Sequence, residues 1–289
     1  MSRIHATFVA SSWTLSGSSH PAASLGMNLV PFEERIEAAA EAGFIGMGFT
    51  EVDLAVYRQT HSYASLRKQL EEAGLNFVQL ELITNWFSSG EAKSQSDTVR
   101  DQLFEASAEL GADHIKIVGD MGHQHPVEEM PESFSALCAR AKAAGARIAI
   151  ELTPITNLAT PEQGLRLIRD SGATNAGLLL DVWHMGRGDI DFASLAEIPA
   201  EYIYSIELDD ADLEVRGTLL EDTMNHRRLP GDGALEPAKL IAAVHKAGFR
   251  FPYAIEILSH EHRALPVREQ ARVAIASARR QMEVAETLL

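Results

Sequence analysis

The feature that most narrows the fold is a repeat of texture rather than of sequence. Short apolar runs recur eight times along the chain: ATFVAS, GFIGMGF, FVQLEL, HIKIVG, RIAIEL, GLLLDV, YIYSIEL and YAIEIL. Between them lie amphipathic stretches such as FEERIEAAAEAG, YASLRKQLEEAG, VRDQLFEASAELGA, SFSALCARAKAAG, PEQGLRLIRDSG and PAKLIAAVHKAG, most of which end in glycine, as helix C-caps do. Strand-length apolar runs alternating with helices indicate βαβ units on a parallel sheet. Dividing 289 residues by eight gives about 36 per unit, and about 250 residues suffice to close such a barrel. The expectation is one α/β domain over residues 1–289, a (β/α)8 TIM barrel. An open doubly wound sheet would usually bring a glycine-rich phosphate loop after its first strand. Here that strand runs into SSWTLSGSSHPAAS, with neither GxGxxG nor a Walker pattern.

Four of the runs end the same way: RIAIE on Glu151, LLLD on Asp181, YSIE on Glu207 and YAIE on Glu256. Strand C-termini of a parallel barrel converge on one mouth, where sites of this fold are built. Four carboxylates brought together repel one another and take up protons unless a divalent cation neutralises them. Hard oxygen ligands favour Mn or Mg, with Co or Zn preferred if an imidazole joins. Any one of these acids could instead cap a helix or sit in a solvated turn, and Glu207 has competitors in Asp209, Asp210 and Asp212 of IELDDAD.

Around these acids lie candidate substrate ligands. His184 stands three residues after Asp181, beside Trp183, where the loop behind the strand faces the same mouth. In HRRLPGDG, Arg227 and Arg228 can supply a fork of donors to a hydroxyl or carboxylate, and Arg228 is taken as the ligand. Trp13 after the first run and Trp86 with Phe87 after the third offer flat apolar faces for the carbon side of a sugar. His123 and His125 follow the fourth run, and His125 is counted among the substrate-facing residues.

Charge limits the partners. A formal net charge of −16 repels phosphate backbones and anionic lipid, which disfavours nucleic-acid and membrane-surface binding. MSRIHATFVASSWTLSG holds no long uninterrupted apolar run, so neither a signal peptide nor a membrane span is expected and a cytoplasmic location is the default. The one cysteine, Cys138, lies in an alanine-rich helical stretch and reads as core filler. LPVREQARVAIASARRQMEVAETLL reads as an outer helix against the barrel or a neighbouring subunit of a homo-oligomer.

Taken together, these motifs resemble the xylose-isomerase-like TIM barrels of the sugar phosphate isomerase/epimerase superfamily. There a Glu ends strand five, an Asp followed three residues later by His ends strand six, a His or Gln ends strand seven and a Glu ends strand eight. By resemblance the metal ligands are Glu151, Asp181, Glu207 and Glu256, and RLPGDGALEP is similar to the glycine-bearing loop before the last helix. Glu207 departs from the family by putting a charge where a neutral ligand is usual. The resemblance implies proton transfer next to a carbonyl: a bound cation would polarise a ketose carbonyl and stabilise the enediolate, with Glu151 and Glu256 as both ligands and acid/base pair. The substrate implied is a small sugar or polyol. A dehydratase of a keto-sugar, inosose or dehydroshikimate-like compound would use the same residues. An endonuclease of the same superfamily would need a histidine-rich three-metal set and a basic face, which this chain lacks.

Overall fold

The computed structural model describes residues 3–21 and 30–289. All eight apolar runs form parallel strands: β1 (Phe8–Ala10), β2 (Gly46–Thr50), β3 (Phe77–Ile83), β4 (His114–Ile117), β5 (Ile148–Glu151), β6 (Ala176–Asp181), β7 (Ile203–Leu208) and β8 (Tyr253–Ile255). Each strand pairs with its sequence neighbour, and Phe8, Val9 and Ala10 pair with Tyr253, Ala254 and Ile255, so that β1 and β8 close the sheet. The fold is a (β/α)8 TIM barrel.

A strand exposes alternate residues to opposite faces, and in a barrel one face looks inward. Ile115, Ile117, Ile148, Ile150, Leu178, Leu180, Ile206 and Leu208 belong to the apolar core beneath the helices. The residues between them point into the barrel, where Ala149 and Leu179 meet Tyr204 in a separate small cluster. Lys116, Glu151, Asp181 and Glu207 stand on this inner face.

The helical stretches of the sequence become α1 (Phe32–Ala42), α3 (Tyr63–Glu72), α4 (Gly90–Leu110), α5 (Pro131–Ala143), α6 (Pro161–Ser171) and α9 (Pro237–Ala247). Gly248 shows why glycine ends such a stretch: at φ 101° it turns the chain out of α9 while its N–H still reaches His245 and Val244. The final stretch forms α11 (Val267–Glu286), packed on α1 and α9. Cys138 is buried on α5 and burial pushes its thiol up to about 12, as expected of core filler. Short helices escape the apolar pattern. These are α2 (Glu51–Tyr57), α7 (Val182–Arg187), α8 (Leu219–Asn225) and α10 (His260–Arg263), each N-capped by the residue before it (Thr50, Asp181, Thr218 and Ser259). No helix among the described residues is long and apolar enough to cross a membrane.

Candidate metal centre and active site

Glu151, Asp181 and Glu207 are the last or next-to-last residues of β5, β6 and β7, and Glu256 follows β8 directly. Register makes them neighbours, with Asp181 paired to Glu207 and Glu207 to Ala254. All four are buried, Asp181 and Glu207 completely. One oxygen from each of Glu151, Glu207 and Glu256 can be chosen so that the three lie within 4.8 Å of one another.

Two cations of the chain itself stand among them. The Lys116 ammonium, projecting from β4, donates to Glu207 Oε1 in a very short contact, to Glu256 Oε1 at 3.3 Å and to Glu81 Oε2 at 3.4 Å. Arg227 Nη1 reaches Asp181 Oδ2 at 2.8 Å, Asp209 Oδ2 at 2.7 Å and Glu256 Oε2 at 3.1 Å. Asp181 is thereby turned to Arg227 and, through Oδ1, accepts the His184 N–H at 2.8 Å as cap of α7. His184 Nε2 lies 3.1 Å from Glu151 Oε1; with a carboxylate as acceptor, Nε2 carries the proton in this contact.

Burial raises the carboxyls of Glu81, Glu151, Glu207 and Glu256, and the neighbouring charges decide which of them escape. Glu256 is pushed up by burial, but Lys116 and then Arg227 outweigh this and hold it at about 2. Glu151 is likewise desolvated, yet the hydrogen bond from His184 and the charge of Lys116 bring it below its ordinary value. In Glu207 the loss of water and the neighbouring Glu256 prevail, and its carboxyl is pushed well up. Glu81 is raised to about 7, mainly by burial. Glu256 and Glu151 are thus held ionised, while Glu207 resists its charge.

These residues fit a divalent cation. The donors are hard oxygens, and Glu207 Oε2 is buried with no hydrogen-bond partner among the described residues. An unpartnered buried carboxylate oxygen costs free energy that a bound cation would recover.

The competitors of Glu207 have other employment. Asp209 accepts from the Trp183 N–H and from Arg227. Asp210 takes the backbone N–H groups of Ala211, Gly231, Gly233 and Leu235, all at 2.8 to 3.1 Å, and so pins the glycine loop. Asp212 pairs with Arg228 and Arg216 near the surface.

A cavity of about 740 Å³ opens above the carboxylates. Glu151, Glu256, His184 and Trp13 line it together with Glu51, Glu81 and Arg227. Of the arginine pair it is Arg227 that enters; Arg228 is held by Asp212 on the other side of the short antiparallel ladder of Asp210–Ala211 with Arg227–Arg228. His125 is bound to Asp120 at 2.8 Å and packs against Phe87, away from the cavity lining. Trp86 is buried under the loops, its indole N–H on the Val118 carbonyl. The apolar part of the wall includes Leu82, Val118, Met121, Ile155, Met224 and Leu258.

Residues 36–281 match the family model described as xylose isomerase-like TIM barrel. The chain belongs to that family. Over 242 residues it is 28% identical to a 3-dehydroshikimate dehydratase of Pseudomonas aeruginosa, which covers 82% of this chain but only 38% of that protein. The chain therefore spans well under half the length of this relative. An inosose isomerase of Bacillus velezensis is 23% identical over 230 residues, 76% of this chain and 81% of that one. Among solved structures, the IolI protein with a bound zinc atom superposes with a TM-score of 0.83 at 19% identity, covering 96% of this chain and 99% of that one. Relatives of this xylose isomerase-like barrel thus include a dehydratase and an isomerase.

Sequence reasoning missed Lys116, Glu81 and the inward course of Arg227. The signal for Lys116 was present: a lysine inside HIKIVG has apolar residues on both sides and no solvent-facing position in a parallel barrel strand. Glu81 sits likewise inside FVQLELI.

Proposed function

We propose that this chain is a divalent-metal-dependent isomerase or epimerase of a small ketose or keto-polyol. The observation that carries this reading is the buried meeting of Glu151, Glu207 and Glu256 beneath a cavity at the C-terminal mouth of the barrel. Mn or Mg suits an all-oxygen donor set, and Co or Zn would gain if His184 turned toward the ion. When bound, the cation supplies Lewis acidity toward a carbonyl oxygen of the substrate.

The chain's own residues do the rest. Glu151 and Glu256 are the two members of the carboxylate cluster that line the cavity, and both are held ionised, the state a base needs. One removes the proton from the carbon next to the carbonyl, giving an enediolate; the other takes a proton from solvent and passes it to that carbon or its neighbour, and the first then releases its own proton to solvent, so that both end the cycle ionised again. Return to the opposite face is epimerisation; return to the former carbonyl carbon is isomerisation. His184 keeps Glu151 in place through its 3.1 Å contact. Trp13 offers an apolar face, and Arg227 holds Asp181 and Glu256 against the barrel wall while reaching the cavity. His125, held by Asp120, and Arg228, held by Asp212, stand outside the cavity lining and have no part in this proposal.

A second reading, elimination of water by a dehydratase, is favoured by the 28% identity to the 3-dehydroshikimate dehydratase. Incubation with ketoses, inososes and 3-dehydroshikimate in deuterated water, followed by NMR and mass spectrometry, separates the two. Deuterium at carbon with the carbon skeleton and water content kept supports isomerase or epimerase; loss of water supports the dehydratase. Turnover that persists in protein shown by elemental analysis to be metal-free sinks the metal-dependent reading.

A further inference from the structure

Three facts about the floor of the site stand apart from the acid/base chemistry. Lys116 is fully buried on β4, and its only acceptors among the described residues are Glu207, Glu256 and Glu81. Glu207, also fully buried, has one oxygen on Lys116 and the other without a partner among the described residues. Glu256 has both oxygens engaged, Oε1 taking Ser11 and Lys116 and Oε2 facing Arg227. Five carboxylates, Glu81, Asp181, Glu207, Asp209 and Glu256, share two cations of the chain, Lys116 and Arg227, while Glu151 faces His184.

A divalent ion drawn to the unpartnered Glu207 Oε2 and to Glu256 would therefore stand beside the ammonium that already holds Glu207 Oε1 and Glu256 Oε1. A point charge on a flexible four-carbon stem can withdraw where a guanidinium fork cannot. We propose that Lys116 is a resident counter-cation matched to the strand-seven glutamate: it occupies Glu207 and Glu256 while no metal is bound, yields them when one arrives, and thereby sets metal affinity. In this chain a Glu207–Lys116 pair stands where the resemblance leads one to expect a single neutral ligand. Lys116 is a positioning residue and takes no part in proton transfer to substrate. The inference rests on the metal-dependent reading above.

The test is titration of metal-stripped protein with Mn(II) alone, followed by the paramagnetic resonance of free Mn(II), alongside thermal denaturation of the metal-free forms. Lys116→Met should bind Mn(II) at least about tenfold more tightly than the wild type, since a unit charge a few ångströms from the ion is removed. Its metal-free form should melt lower and recover when Mn(II) is added. Glu207→Gln should weaken binding in the wild-type background, and the Lys116→Met/Glu207→Gln double variant should lose the gain of the single one. If Lys116→Met fails to fold, Lys116→Gln, which keeps a polar group of similar reach, should show the same direction. Wild-type Mn(II) affinity in natively folded Lys116→Met or Lys116→Gln overturns the role of Lys116 and leaves metal dependence standing. Absence of Mn(II) uptake by every variant and by the wild type removes both. Uptake by Lys116→Met and none by the wild type supports Lys116 as the competing cation, in its strongest form.

Discussion

Glu256 ties three parts of the site together, because Ser11, Lys116 and Arg227 all converge on its two oxygens. Replacing it with Gln keeps the shape and removes the charge. Turnover should fall by at least about a hundredfold, the usual worth of a positioned proton-transfer group, and steady-state kinetics with circular dichroism as a folding control would check it; wild-type-like turnover would take Glu256 out of the mechanism. A second residue-scale prediction concerns stability rather than turnover. His262 is buried on α10, with Nε2 donating to the Thr14 carbonyl at 2.9 Å, and burial pushes its imidazole down to about 4 from 6.5. The unfolded chain therefore binds this proton more readily than the folded one. The contribution of His262 to stability is complete above about pH 6.5, declines as the pH falls and is gone near pH 4, a span worth about 3 kcal/mol. Urea titrations from pH 7 to 4 should show a shallower fall for His262→Gln than for the wild type. At this scale the sequence was legible wherever a charge ended an apolar run, as for Glu151, Asp181, Glu207 and Glu256. It was opaque where a charge lay inside one, because whether Lys116 meets acids depends on what β3, β7 and β8 bring to the barrel axis.

Among elements, the loop from Asp210 to Leu235 shows how much of the site is set by backbone. Asp210 gathers four N–H groups of its own segment and of the glycine loop, the Asp210–Ala211 ladder fixes Arg227–Arg228, and Thr223 of α8 accepts from the Arg227 guanidinium at 2.8 Å. Gly233 is pressed so closely on this arrangement that an added Cβ would lie 2.3 Å from the Ala211 carbonyl oxygen and 2.5 Å from Asp210 Oδ1. Gly233→Ala should therefore lift the loop, at a cost of about 1–3 kcal/mol, and raise KM through a displaced Arg227. The Mn(II) affinity should change less than KM, since of the three proposed ligands only Glu256 pairs with Arg227. Denaturant midpoints, KM and metal titration on this single variant would check all three. The glycines of HRRLPGDG announced a tight loop, yet which of the two arginines faces inward follows from the ladder register, Asp210 to Arg228 and Ala211 to Arg227, and two-residue strands leave no pattern to read.

For the whole molecule, eight apolar runs were enough to foresee a closed barrel, because strand periodicity and glycine-ended helices are local signals that repeat. Closure itself has a consequence for how the protein is made. Lys116 emerges from the ribosome 91 residues ahead of Glu207 and 140 ahead of Glu256, and β1 waits for Tyr253 to supply its second neighbour. Until the last strand arrives, the interior holds an ammonium short of its acceptors, which keeps water in and the incomplete sheet open at both edges. A nascent chain stopped before Tyr253 should consequently remain sensitive to protease along most of its length instead of accumulating as a stable seven-stranded intermediate. Arrest-peptide or pulse-proteolysis measurements on chains of increasing length should show protection appearing in one late step, once residues beyond Glu256 have cleared the exit tunnel.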